Sequence, residues 1–163
     1  MPAAPALITA LEQMPFAQTI SESTWMFPCF ETLHVLFLTV VVGSVGMMDL
    51  RLLGLGSKDR AISELTRSAL PWTWTAFGFA ALFGLLLFTS KATTYWNNIP
   101  FRIKMLCMVL AAVNMVVFHF FTMRNISSWD VGKPPAGARA AGVISLALWI
   151  TIVATGRWIG FTT

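Results

Sequence analysis

The sequence predicts an all-α integral membrane protein: a four-helix bundle of membrane spans with an N-terminal interfacial amphipathic helix. Three observations support that class. Of 163 residues, 56% are hydrophobic and only 11% are charged, where a soluble domain carries about 25% charged residues. The mean hydropathy is +0.72. Four long apolar runs each exceed the roughly 18 to 20 residues that cross a bilayer core.

The elements follow in order. Leu7, Ile8, Leu11 and Met14 recur at helical spacing opposite Thr9 and Gln13, so residues 5–14 are expected to lie along the membrane surface, with Pro15 closing the run. Span one is expected over 25–53, opening at Trp25, an interfacial residue type. Span two is expected over 71–89, because Pro71 suits a first helical turn whose N–H groups are unpaired in any case. Span three, over 100–123, opens at Pro100 for the same reason. Gly132-Lys133-Pro134-Pro135-Ala136-Gly137 is a clear break, and span four follows over 139–159. Trp25, Trp72, Trp96, Trp129 and Trp158 read as interfacial anchors.

Lys and Arg placement gives an orientation. The connector after span one holds Arg51, Lys58, Arg60 and Arg67, the one after span three holds Arg124, Lys133 and Arg139, and the N-terminal tail has none. The positive-inside rule then puts both termini outside, leaving Lys91, Arg102, Lys104 and Arg157 as an outer basic set. No charged n-region precedes the first apolar run, so that run is expected to remain as a span.

The same composition excludes several function classes. A net charge of +4 with no run of five basic residues gives no nucleic-acid footprint; the lipid bilayer is the partner that composition implies. No Ser/His/Asp triad, phosphate loop or zinc-ligand spacing is present. Cys29 and Cys107 leave either one bridge or two free thiols.

Ionisable groups within an apolar span read by default as a working site. On a helical wheel at about 100° per residue, Glu31, Leu38, Val41, Val45, Asp49 and Leu52 fall within about 60° of His34. His34 is therefore expected to be an axial metal ligand or proton-handling group, with Glu31 as its supporting partner. The competing account is a buried histidine bonded to a backbone carbonyl. Glu31-x-x-His34 matches half of a di-iron carboxylate signature, but the rest is missing because Val116 stands three residues before His119.

His119 shares a stripe with Lys104, Met108, Ala111 and Met115, and pairing it with His34 on one haem is a natural expectation. Depth opposes the pairing: the offset between the two is about 12 Å counted from one side and about 15 Å from the other. Lys104, Met105 and Met108 are nearer the depth of His34. A haem b on His34 would have its propionates near Arg102, Lys104 and Arg157, although snorkelling to headgroups accounts equally well for Arg102 and Arg157. Nine Met and two Cys make copper the alternative cofactor, but Cys29 lies about 140° around the helix from His34. Asp49 and Arg51 are expected to form a clamp at the cytoplasmic end, as a pair or with partners from Arg67 or Arg124, and Asn114 an interhelical hydrogen bond.

The run Trp25-Met26-Phe27-Pro28, then Glu31-Thr32-Leu33-His34-Val35-Leu36, then Gly43-Ser44 and Asp49-Leu50-Arg51-Leu52-Leu53-Gly54 resembles a family of small uncharacterised bacterial four-helix membrane proteins. The likeness extends through Ile103-Lys104-Met105-Leu106 and Asn114 to His119, and implies a bacterial inner-membrane location. More remotely, a Leu-His opening on span one, and a Lys followed by a His on span three, are similar to CopD-type copper-resistance proteins and HemJ-type protoporphyrinogen oxidases. That similarity matches His34, Lys104 and His119 to the family positions and implies a haem or metal site. The expected function is then a haem b-binding redox subunit, a component of an oxidoreductase with a redox partner protein or a second copy of itself. The alternatives are a copper- or proton-handling transport component and a non-catalytic assembly subunit.

Overall fold

The computed structural model of the protein describes residues 4–56 and 60–162; Lys58 lies outside the described residues. The described residues form helices and no strand. Short helices α1 (Ala6–Glu12) and α2 (Pro15–Glu22) precede α3 (Met26–Leu52) and α4 (Ile62–Ser90). A short α5 (Ala92–Asn97) leads into α6 (Ile99–Val117), whose axis continues through a π segment, Phe118–Thr122, and a 3₁₀ segment, Met123–Ser128. The last helix is α7 (Ala136–Thr162). Four helical stretches are long and apolar enough to cross a membrane, so the all-α four-helix membrane class read from composition is the class observed.

The N-terminal segment is two helices where one was expected. Pro15 disfavours helical backbone at the residue before it, and Met14 is extended, with ψ 140°. Pro15 itself then sits at the start of α2, where its missing N–H costs nothing. The pair does not lie alone on the bilayer. Ile8, Ala17 and Ile20 are buried, and Glu12 accepts hydrogen bonds from the Thr93 N–H at 2.7 Å and the Thr93 hydroxyl of α5. Asn98 of the α5–α6 junction donates to the Thr162 hydroxyl at 2.9 Å. The chain's first helix and the end of its last are thus tied to either side of α5 at one end of the bundle, here the terminal end; the links 53–61 and 129–135 form the connector end.

The second long helix begins at Ile62, nine residues before Pro71. Hydropathy marks where lipid lies, and the turns carrying Glu64 and Arg67 are too polar to register. Proline removes one backbone bond within an otherwise continuous ladder. The start of α4 is capped from afar: the Ser63 N–H donates to the Asp130 carboxylate at 2.8 Å, the Ser63 hydroxyl donates to its other oxygen, and the Ile62 N–H donates to the Asp130 carbonyl at 3.1 Å. Beneath this cap Leu52, Ile62, Trp129 and Ala138 form a buried cluster. Trp129 is therefore a core residue of the connector end rather than an interfacial anchor. The expected Asp49–Arg51 pair is also absent, because residues two apart on a helix face different directions. Arg51 Nε instead donates to the Arg60 carbonyl at 3.1 Å.

The Ser63 hydroxyl and then the Ser63 N–H hold the Asp130 carboxyl below the usual carboxylate range. A folded-state value below the unfolded one gives stability that is present above about pH 4 and lost as pH falls through the folded value. Asp130→Ala is expected to cost about 1 kcal/mol, the size of a lost helix cap. Thermal unfolding in detergent from neutral to acid pH checks it: the wild-type and variant midpoints should converge at the acid end.

The bundle consists of two antiparallel hairpins, α3 with α4 and α6 with α7, joined chiefly where α3 crosses α7. Mid-depth hydrogen bonds hold each hairpin. The Thr73 and Ser44 hydroxyls meet at 2.8 Å, and Asn114 Nδ2 donates to the Ala141 carbonyl at 3.0 Å, the interhelical bond its mid-span position predicts. Gly142 brings α7 against α3: a Cβ there would stand 3.2 Å from the Asp49 carbonyl and 3.3 Å from Leu52 Cβ.

Candidate functional site

His34 lies about two turns into α3 and is half-buried. Its Nδ1 is 2.7 Å from the Ala80 carbonyl of α4. A carbonyl only accepts, so Nδ1 carries the proton, and in the neutral ring the lone pair is left on Nε2. Nε2 has no hydrogen-bond partner among the described residues. The ring is seated on Gly84, one turn further along α4. A Cβ at that position would meet Cε1 at 2.9 Å and Nδ1 at 3.1 Å, closer than real contacts allow. The glycine is thus required for this ring position.

Lys104 occupies an equivalent notch in the other hairpin. It lies half-buried on α6, and a Cβ at Gly156 of α7 would stand 3.5 Å from its Nζ. The Lys104 ammonium has no hydrogen-bond or ion-pair partner among the described residues, yet it acts electrostatically on His34, as does the Glu31 carboxylate. An unpartnered ammonium within an apolar bundle calls for an anionic group nearby. Glu31 is exposed on α3 and also acts on Tyr95 of α5. Burial first, and Glu31 second, push the Tyr95 phenol above its usual range, which keeps it a neutral O–H. Tyr95 stacks with Phe88 and Phe101, which stack on each other with centroids 5.4 Å apart. This aromatic group joins α4 to α6 at the terminal end, above the His34 level.

The structure therefore brings Glu31, His34 and Lys104 into one region. Met108 lies one turn deeper on α6 and is half-buried. Arg157 is exposed and its guanidinium lies over the Phe161 ring of its own helix, 5.0 Å from the centroid, so it serves the surface. His119 is exposed in the π segment. Its neighbour Phe118 shares a small cavity with Met48 and Leu52, which lie at least fourteen residues, or about 21 Å, along α3 from His34. One haem does not bridge that distance, so the structure does not bring His34 and His119 together as a ligand pair.

Cys29 is exposed, Cys107 is buried, and both are free thiols. No group of three or more His, Cys, Asp or Glu converges among the described residues. Residues 23–162 match the model of a family described as Family of unknown function (DUF6644). The chain belongs to that family. The match takes in all four long helices of this DUF6644 member and leaves α1 and α2 outside it. No curated protein and no solved structure matches the chain.

Ala80, Gly84, Tyr95 and Gly156 were not singled out by sequence reasoning. Two of them left a signal, since a glycine inside a helix costs about 1 kcal/mol against alanine and usually answers a packing need. The carbonyl of Ala80 left none.

Proposed function

We propose that the protein is a haem b-binding subunit of a membrane redox system, with His34 as axial ligand through Nε2. The observation that carries this reading is the 2.7 Å contact from His34 Nδ1 to the Ala80 carbonyl. A carbonyl that accepts from the far ring nitrogen in this way fixes the tautomer and orientation of a ligating imidazole and raises its basicity. The donor set also fits the group in charge: a free ammonium at Lys104 suits a propionate.

A bound haem supplies one-electron transfer at its iron. The chain's own residues have separate tasks. Ala80 and Gly84 hold the imidazole so that Nε2 points away from α4's backbone. Lys104 would neutralise a propionate or serve as the second ligand, for which Met108 is the other candidate. Glu31 would place a negative charge near the His34 ring. Phe88, Tyr95 and Phe101 limit water entry from the terminal end. The remote similarity to CopD-type and HemJ-type proteins supports the use of a histidine and a lysine together. The basic connector end supports an orientation with both termini outside, the family resemblance supports a bacterial inner membrane, and the partner would be a redox protein or a second copy of the chain.

An absorption spectrum of the purified chain, reduced with dithionite, tests the reading. Soret and α bands are expected, with at least a tenfold loss of bound haem in His34→Ala at unchanged helix content; about 1.4 kcal/mol of ligation corresponds to each factor of ten. A wild-type protein without a Soret band after haem feeding overturns the proposal, as does a variant with intact bands. A copper signal in metal analysis that disappears with His34 would support the copper reading instead. The assembly-subunit reading, also consistent with a histidine bonded to a carbonyl across helices, predicts that His34→Ala lowers stability in a protein with no bound chromophore.

A further inference from the structure

Asp49 takes no part in the site around His34. It stands fifteen residues along α3 from His34, about 22 Å at the helical rise. It lies where α3 crosses α7, is 5% exposed, and its Oδ2 is buried without a hydrogen-bond partner. The polar group facing the carboxyl is the Ser145 hydroxyl of α7, itself 8% exposed. Gly142, one turn earlier on α7, seals the joint against the Asp49 backbone.

Among the described residues no cation answers this carboxyl. Arg51 donates from Nε to the Arg60 carbonyl and leaves its Nη2 buried without a hydrogen-bond partner, and it does not act on Asp49. Arg139 on α7, Arg67 and Glu64 on α4, and His119 and Arg124 beyond α6 are all exposed, and none acts on Asp49. An ionised carboxylate enclosed by apolar helices without a counter-charge is far more costly than its neutral acid, so such groups bind a proton instead. The neutral acid has an O–H to donate, and the Ser145 oxygen can accept it.

We infer that Asp49 is a proton-binding site, its carboxyl carrying a proton where α3 packs on α7 and releasing it when that joint opens to water. The O–H bond of the acid breaks on release, the proton passes to water at the connector end, and the carboxylate left behind is hydrated. Closing the joint reverses each step. Proton uptake is thereby coupled to the packing of one hairpin on the other.

Infrared spectroscopy of the full chain in lipid nanodiscs at neutral pH tests this. The wild-type spectrum should contain a protonated-carboxyl C=O band that is shifted in heavy water, lost in Asp49→Asn and moved to the weakly bonded position in Ser145→Ala. A band that Asp49→Asn removes from the ionised-carboxylate region overturns the inference. If Asp49→Asn does not accumulate, Ser145→Ala decides: a moved acid band supports the site and an unmoved spectrum overturns it. None of these readings depends on bound haem.

Discussion

Gly84→Ala is expected to unseat the His34 imidazole. The new methyl would stand 2.9 Å from Cε1, and the ring cannot swing aside while Nδ1 holds the Ala80 carbonyl at 2.7 Å. Either that hydrogen bond breaks or α3 and α4 separate along their length. Overpacking a filled contact costs about 1–3 kcal/mol, and a broken buried hydrogen bond adds about 1–3 kcal/mol. A loss of about 2 kcal/mol in reversible unfolding is therefore expected, together with loss of whatever Nε2 holds. The double variant isolates the cause. In a His34→Ala background the methyl has room, so Gly84→Ala should cost little there and the two changes should be strongly non-additive. Additive costs would mean that the ring does not occupy the Gly84 notch.

Gly142→Val acts on the other joint. Its Cβ would meet backbone, the Asp49 carbonyl at 3.2 Å, and Leu52 Cβ at 3.3 Å, neither of which is the free end of a flexible chain. Two further methyl groups would wedge α7 from α3 where the hairpins meet, at a cost of about 3 kcal/mol, the upper part of the overpacking range. Gly78 provides the control, because a Cβ there meets nothing within 4 Å. Gly78→Ala should be neutral or stabilising by up to about 1 kcal/mol from helix propensity alone. Unfolding midpoints of both variants in one detergent check the contrast. Equal midpoints would show that α3 and α7 are not in close contact in the membrane.

Much of the architecture was legible in the sequence because a bilayer imposes a simple rule: a long apolar run without charges must be a hydrogen-bonded helix. The same rule limits what hydropathy can reveal. It missed the first turns of α4, where Glu64 and Arg67 stand outside the apolar run, and it could not show that Pro15 starts a helix as well as ending one. Trp129 was misjudged because tryptophan suits both an interface and a core, and only the neighbours Leu52, Ile62 and Ala138 decide which. His34 and Lys104 could be chosen from sequence because ionisable groups are costly in hydrocarbon. Their seats on Gly84 and Gly156 could not, since the rotation of one helix against the next is set by many weak contacts at once.

The chain's own sequence determined the number of spanning helices, their all-α class, and the presence of the histidines His34 and His119, of Lys104 and of the carboxylates Glu31 and Asp49 within them. Periodicity and transfer free energy act locally, so local order suffices to read them. Tertiary structure alone decided that His34 bonds Ala80, that His119 stands far from it, that Asp49 and Arg51 do not pair, and that Asp130 caps a helix 67 residues away in the chain. Each of those outcomes depends on which backbone a side chain meets across the bundle, and that meeting is fixed by packing rather than by sequence spacing.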